Sequence, residues 1–290
     1  MPWTKKLQHY WQEQLAVDRT SVADNWIASK KKLHEQRGNK VPHVFGQGKI
    51  IRSRAINQKE VQIDYLLSVT LLIKQEANFY QEEEQCEHHC SFYKGTLVED
   101  KPISVELDPS LEVVQSVAEE PLLKVGEKRF SYDRRAAVQY AERWWNDYNP
   151  AYKKFDVDCT NYVSQCLHAG GAPMRGYANR SNGWWYQNEN WSYSWAVAHS
   201  LRWYLSGSSH GLKGKTMEEA NQLLPGDVIC YDFEGDGKWD HNTIVVSKDE
   251  NGMPLVNAHT NNSRHRYWDY QDSYAWTPEC NYKFFRIGED

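Results

Sequence analysis

The chain has 290 residues, 40% hydrophobic and 25% charged, which is typical of a globular protein with one large or two ordinary domains. Lys and Arg number 34 against 39 Asp and Glu, and this net charge of −5 does not favour a nucleic-acid partner. No run of 18 apolar residues predicts a membrane span. The first residues lack the apolar core of a signal peptide, so we expect a cytoplasmic location, with delivery to the cell wall by another route left open.

The N-terminal part of the chain predicts a mixture of helix and strand. Residues 1–37 show the pattern of one or two amphipathic helices, which end at Gly38. In residues 60–73, EVQIDYLLSVTLLI, apolar and polar side chains alternate as in a strand, and residues 77–100 continue with strand-like pieces. We predict a small α+β domain over residues 1–108, whose role the sequence does not indicate.

A CEHHC motif in this domain resembles a zinc site at first sight. In a strand, Cys86, His88 and Cys90 share one face, but the two cysteines are then about 13 Å apart at ~3.3 Å per residue. Zinc needs all of its ligands about 2.0–2.3 Å from the metal. We therefore reject a zinc site here.

The C-terminal part, residues 131–290, predicts helices followed by an antiparallel sheet, after a connector at 109–130. A helix begins at the capping residue Asp133 and stops before Pro150, and SWAVAHSLRWYL predicts another. Three segments then predict buried strands: LLPGDVICYDF, HNTIVVSKD and PLVNAHT. The whole chain is therefore placed in the α+β class.

Between these helices lies DVDCTNYVSQCL, which predicts a short helix beginning near Asp158. Its buried face carries residues at helical spacing: Cys159, Tyr162, Val163, Cys166 and Leu167. A thiol in the first turn of a helix lies near unpaired backbone N–H groups, which stabilise a thiolate, so we expect a lowered pKa for Cys159. The alternative is that Cys159 is only a small buried side chain, as we expect for Cys166.

Polar residues on the later strands favour a catalytic role for Cys159. His241 begins the predicted strand HNTIVVS, and Asn257 and His259 lie two residues apart, on the same face of the next one. A helix-borne Cys, a strand-borne His and a polar residue on a neighbouring strand are the arrangement of papain-like enzymes.

The order of several motifs resembles the bacterial putative amidase domain family, a papain-like branch near the CHAP and NlpC-type cell-wall hydrolases. These motifs are DCTNYVSQ, GWWY, SWAVAHSLRWYL, LLPGDVICYDFEGDGKWDH and NAHTNNSR, spread over residues 131–270. The resemblance implies a papain-like C-terminal domain. It also implies that Cys159 is the nucleophile, His241 the base and His259 the third residue, with Asn257 as the alternative third residue.

Aromatic residues near the predicted nucleophile suggest further parts of a site. Trp184, Trp185, Tyr186 and Trp191 are predicted either to line a substrate groove or to pack on the core. Tyr152 is a candidate donor to the oxyanion, with Tyr148 as its alternative and plain packing as the simplest interpretation.

The segment DFEGDGKWD contains the first part of a calcium-loop pattern. Asp232, Glu234, Asp236 and Asp240 occupy ligand positions of that pattern, and Gly237 its central glycine. Thr243 replaces the bidentate Glu at the twelfth position. We therefore expect an acidic turn that places His241, and keep calcium only as a weak candidate.

Together, these features predict a thiol amidase that works through an acyl-enzyme and uses no cofactor. The family resemblance implies a cell-wall peptide or amide as its substrate. The alternatives are an acyltransferase with the same triad and a non-catalytic module that binds cell wall or protein. The expected partner is a peptide or peptidoglycan-derived substrate, and no oligomeric state is predicted.

Overall fold

The computed structural model describes residues 2–16, 26–103 and 130–288. The chain forms two compact units, one of residues 1–105 with 261–263 and the other of residues 106–260 with 264–290. The predicted connector, except for residue 130, lies outside the described residues.

The first unit contains two helices and an antiparallel meander of four strands. The helices are α1 (Pro2–Leu15) and α2 (Trp26–Gln36), and the strands are β1 (Lys40–Ala55), β2 (Glu60–Gln75), β3 (Asn78–Tyr93) and β4 (Thr96–Pro102). Both predicted helices and the alternating strand are confirmed. One face of β2 is buried throughout: Val61, Ile63, Tyr65, Leu67, Val69, Leu71 and Ile73.

The CEHHC motif lies inside β3, in the extended conformation on which the rejection of zinc was based. His88 and Cys90 are buried in this strand. The His88 imidazole Nδ1 lies 3.3 Å from a carboxylate oxygen of Asp100, and its ring packs 5.4 Å from that of Tyr65. His88 is therefore part of the packing between strands.

The second unit combines helices with an antiparallel sheet of strand order β10-β9-β8-β12-β7. The helices are α3 (Arg134–Trp144), α4 (Cys159–Ala169), α5 (Tyr193–Ala196) and α6 (Ala198–Gly207). The strands are β5 (Tyr186–Gln187), β6 (Asn190–Trp191), β7 (Gly214–Met217), β8 (Val228–Asp232), β9 (His241–Lys248), β10 (Pro254–Ala258), β12 (Asn281–Ile287) and, from residue 264 onward, β11 (Asn262–Tyr267). The prediction of helices followed by an antiparallel sheet is confirmed for this unit.

Local sequence explains where these helices begin and end. The Asp133 side chain accepts a hydrogen bond from the Ala136 backbone, as the predicted N-cap of α3. The predicted helix SWAVAHSLRWYL is interrupted at Val197, whose extended backbone separates α5 from α6. Among the described residues, no helix is long and apolar enough to cross a membrane.

The two faces of this sheet have different neighbours, because successive strand residues point to opposite sides. One face packs with α3, α4 and α6 and includes Cys230 and Ile244. The other face forms a separate cluster that includes Tyr231 and Val245. A side chain of the sheet can approach the start of α4 only if it lies on the first of these two faces.

Candidate functional site

Cys159 is the first residue of α4, as the sequence predicts, and its side chain is buried on the sheet side of the helix. It is 1% exposed. Its Sγ lies 3.7 Å from the Thr160 hydroxyl. The sulfur also accepts a hydrogen bond from the backbone N–H of Asn242. The Thr160 hydroxyl in turn donates to the Asn242 side-chain oxygen over 2.8 Å. The thiol is therefore held between the first turn of α4 and the beginning of β9.

The expectation that Cys159 has a lowered pKa is wrong for this arrangement. Burial raises the pKa of the thiol, and the negative charge of Asp158 raises it further. Hydrogen bonds from Asn242 and Thr160 lower the pKa only in part. Burial is the largest of these effects, so the pKa of Cys159 lies above the ordinary value of a thiol.

Asp158, directly before the nucleophile candidate, makes an extensive set of hydrogen bonds. Its Oδ2 lies 2.7 Å from His259 Nδ1, and its side chain is 1% exposed. Its Oδ1 accepts from the Phe155 backbone at 3.0 Å and from the Asn161 amide at 2.9 Å. Its backbone N–H donates to the Thr260 hydroxyl over 3.2 Å. Asp158 therefore fixes the start of α4 to the end of β10.

His259 is the buried partner of Asp158. Its Nε2 lies 2.7 Å from the carbonyl oxygen of Trp144, and its ring stacks on Tyr162 with centroids 4.0 Å apart. Both ring nitrogens thus face oxygen atoms that only accept hydrogen bonds. Asp158 and Trp144 therefore occupy both hydrogen-bonding positions of the ring. In this arrangement His259 has no nitrogen left to orient His241.

Asn257, the alternative third residue, also has partners other than His241. Its amide donates to Glu142 over 3.2 Å, and its oxygen accepts from the His265 backbone at 2.9 Å. Glu142 also accepts from Arg264 at 2.6 Å. Asn257 therefore joins α3 to β11.

His241 begins β9 as predicted, but its side chain lies on the sheet face opposite α4. Its Nε2 is 3.2 Å from the Tyr270 hydroxyl, and its ring lies near those of Tyr231, Phe233 and Tyr270. Burial, with a smaller effect of the Arg266 charge, lowers the pKa of His241 to about 3. Its imidazole is therefore neutral over most of the pH range.

The described residues show no hydrogen bond between Cys159 and His241. The alternation of β9 gives the reason, because Asn242 rather than His241 points toward α4. Sequence reasoning missed the roles of Asp158 and Asn242 at the thiol. An acidic residue at the position before a helix-starting cysteine was the signal that could have drawn attention to Asp158.

The aromatic segment after α4 divides into buried and accessible residues. Trp184 and Trp185 are 0% and 1% exposed, and Trp184 donates its indole N–H to Ser164 over 3.0 Å. These two indoles pack in the interior and do not line an open groove, in correction of that expectation. Tyr186 and Trp191 are partly exposed and remain candidates for contact with a substrate.

Tyr152 packs against other aromatic rings beside the start of α4. Its ring stacks on Trp195 with centroids 5.8 Å apart and lies 5.1 Å from that of Tyr186. Burial raises the pKa of its phenol. Tyr148, the alternative, lies 4.8 Å from the His259 ring. The structure gives both residues a packing role, and an oxyanion contact for Tyr152 stays a prediction.

The acidic loop that precedes His241 is held by its own backbone. The Asp232 carboxylate is buried and accepts three hydrogen bonds, from the backbone N–H groups of Gly235, Asp236 and Gly237. Asp240 accepts from the Phe233 backbone at 2.9 Å, and burial together with nearby carboxylates raises its pKa to about 6. Within residues 2–16, 26–103 and 130–288, no group of three or more His, Cys, Asp or Glu could hold a metal ion.

The fold and site define an α+β unit in which a buried helix starts at a cysteine and packs on an antiparallel sheet. Residues 131–285, more than half of the chain, match the family described as a putative amidase domain. The chain belongs to that family. The assignment indicates an enzyme that hydrolyses amides.

Two proteins of Bacillus subtilis (strain 168) are similar to the chain. The uncharacterized protein YhbB is 46% identical over 267 residues, which cover 90% of this chain and 85% of YhbB. The uncharacterized protein YjcM is 30% identical over 173 residues, 57% of this chain and 38% of YjcM. No solved structure matches.

Proposed function

We propose that the protein is a cysteine-dependent amide hydrolase and that Cys159 is its nucleophile. The observation that carries this proposal is the position of Cys159, which is the first residue of α4 within the segment that matches the amidase family. The nucleophile of thiol hydrolases needs such a helix start, because N–H groups there stabilise negative charge on sulfur. The buried pair of Asp158 and His259 supports the assignment by fixing this helix start in place.

The proposed reaction has two steps. The imidazole of His241 takes the proton of the Cys159 thiol, and the sulfur attacks the amide carbonyl carbon. The C–N bond then breaks, the imidazolium gives its proton to the leaving amine, and a thioester remains on Cys159. Water attacks the thioester, which releases the carboxylic acid and restores the thiol.

This sequence of events requires His241 to move. In the structure its imidazole is neutral and bonded to Tyr270, so a ring nitrogen has to turn from the aromatic cluster toward the sulfur. A neutral imidazole retains the lone pair that a general base needs. We propose that bound substrate favours this movement.

The proposed substrate is a peptide or amide of the bacterial cell wall, which rests on the family resemblance. Incubation with purified peptidoglycan fragments, followed by mass spectrometry, tests it. We expect fragments that have gained one water and separated into an amine and an acid. The Cys159→Ala variant should leave the fragments intact, and equal cleavage by that variant would contradict the proposal.

Burial of Cys159 favours acyl transfer as a second candidate. A thioester at this buried position is shielded from water, so an amine that binds beside it can compete as the acceptor. Product analysis with and without an added amine separates the two reactions. Acyl transfer gives a new amide only when the amine is present, whereas a hydrolase gives the free acid in both cases.

A further inference from the structure

The N-terminal unit contains a cavity of about 400 Å³ between α1 and the first two strands. Leu7, Trp11 and Leu15 of α1 form one side, and Gly46, Gly48 and Ile50 of β1 with Tyr65 and Leu67 of β2 form the other. Thr4, Gln8, Gln12 and Gln47 complete the lining, and the Gln47 side chain lies on the sheet face opposite to Gly46 and Gly48. A volume of this size is within the range of about 300–1,000 Å³ found for small-molecule sites.

Two glycines create this space. Gly46 and Gly48 pair directly with Val69 and Leu67, so they lie on the same sheet face as those buried residues. A Cβ at Gly46 would collide with the Leu15 side chain, whereas a Cβ at Gly48 would meet only Tyr65, at 3.8 Å. Gly46 therefore lets α1 approach, and Gly48 leaves room that no side chain of the described residues fills.

The two aromatic residues of the cavity turn their polar atoms toward each other. The Trp11 indole N–H donates to the Tyr65 hydroxyl over 2.7 Å, and that hydroxyl donates to Asp100 over 2.7 Å. Their polar groups are thus satisfied within the protein, and their rings present apolar surface. Among the described residues, the lining contains no Lys, Arg, Asp, Glu or His.

From these contacts we infer that the N-terminal unit binds an uncharged, largely apolar small molecule in the cavity between α1, β1 and β2. The described part of the lining offers a charged ligand no counter-charge, whereas the side chains of Leu7, Trp11 and Leu67 offer apolar contact. The side chains of Gln8 and Gln12 provide amide groups for one polar end of the ligand. The inference is independent of the amidase chemistry, because no residue of that site takes part.

Two fluorescent probes with the same ring system test this inference on the full-length protein. N-phenyl-1-naphthylamine is uncharged, and 1-anilinonaphthalene-8-sulfonate carries a sulfonate. We expect saturable binding of the uncharged probe with one site per chain, and binding of the sulfonate at least tenfold weaker. Equal binding of both probes, or no saturable binding of the uncharged one, would overturn the inference.

Substitutions on β1 locate the binding site. Gly48→Leu fills the cavity and should weaken binding of N-phenyl-1-naphthylamine at least tenfold, with Gly48→Ala in between. Ser53→Leu adds the same side chain at an exposed position of the same strand outside the lining, and should leave binding unchanged. Circular dichroism checks that each variant is folded. Unchanged binding in folded Gly48→Leu and Gly48→Ala would contradict this location of the site. The Cys159→Ala variant should bind the probe as the wild type does, whether or not the amidase proposal holds.

Discussion

His241 and His259 lie near the same edge of the sheet but in opposite surroundings. His259 is 3% exposed and has oxygen acceptors at both ring nitrogens, from Asp158 and Trp144. His241 has one hydrogen bond, to Tyr270, and is otherwise surrounded by aromatic rings that lower its pKa to about 3. The difference indicates that one histidine is fixed for structure and that the other keeps a lone pair for proton transfer.

The two histidines should also differ in whether they contribute to folding stability or to catalysis. A buried polar group that loses a hydrogen-bond partner is costly to leave unsatisfied, so His259, which bonds the buried Asp158, should matter most for folding. A neutral imidazole that can leave its single partner is suited to accept a proton, so His241 should matter most for turnover. Substitution of His259 should therefore lower stability more than turnover, and substitution of His241 should lower turnover more than stability.

The largest effect is expected for His241→Ala. Loss of the general base should lower kcat by about 10²–10⁴-fold. Steady-state kinetics with a cleavable peptidoglycan fragment provide the measurement. Tyr270→Phe is the matched control, because it removes the hydroxyl that His241 leaves during the reaction. Full activity of His241→Ala would exclude it as the base.

Loss of the buried pair should have the next largest effect. His259→Ala leaves the buried Asp158 side chain without one of its hydrogen-bond partners, so the free energy of unfolding should fall by about 1–3 kcal/mol. Urea titration followed by circular dichroism measures this change. Asn257→Ala, whose amide contacts the more exposed Glu142, should cost clearly less. If Asn257→Ala is the more destabilising variant, the structural role given to His259 is incorrect.

The low pKa of His241 predicts how stability depends on pH. Its folded pKa of about 3 lies below the usual value of 6.5, so the unfolded chain binds more protons between these values. This residue therefore contributes stability that is present above pH 6.5 and is lost as the pH falls toward 3. The contribution has a slope of at most about 1.4 kcal/mol per pH unit.

The His241→Gln variant isolates this slope. Asp240, whose pKa is raised to about 6, acts in the opposite direction, but it is present in both proteins. The difference in unfolding free energy between wild type and variant should shrink as the pH is lowered from 6.5 to 4. A constant difference would show that His241 is not held neutral.

The smallest effect is expected for calcium. The Asp232 carboxylate is buried and already accepts three backbone N–H groups, so it has little capacity to bind a cation. The melting temperature should be the same in millimolar calcium as in a chelator. An upward shift of several degrees that Asp236→Ala abolishes would instead make the loop a calcium site.

Local patterns were sufficient to predict much of the fold. The alternation in β2, the Asp133 cap of α3 and the start of α4 at Cys159 were all predicted from sequence, because each depends on neighbouring residues. Strand β1 was not predicted, because Pro42, Gly46 and Gly48 weaken the signal of a strand.

The site was predictable only in part, because its contacts join distant residues. The position of His241 at the start of β9 was predicted, but the face on which its side chain lies depends on strand register. The contact between Asp158 and His259 spans 101 residues, and no local pattern predicts it. Burial, which sets the pKa of Cys159, likewise follows from tertiary packing.

The central claim is that Cys159 carries the acyl group during turnover. Acid quenching during the reaction, followed by digestion and mass spectrometry of the peptide that contains Cys159, tests it most directly. The account predicts that the mass of an acyl group appears on Cys159 in the wild-type protein. It should build up much more slowly in His241→Ala, and it should be absent from Cys159→Ala. Amide cleavage at the wild-type rate by Cys159→Ala, with no acylated peptide in any sample, would contradict it.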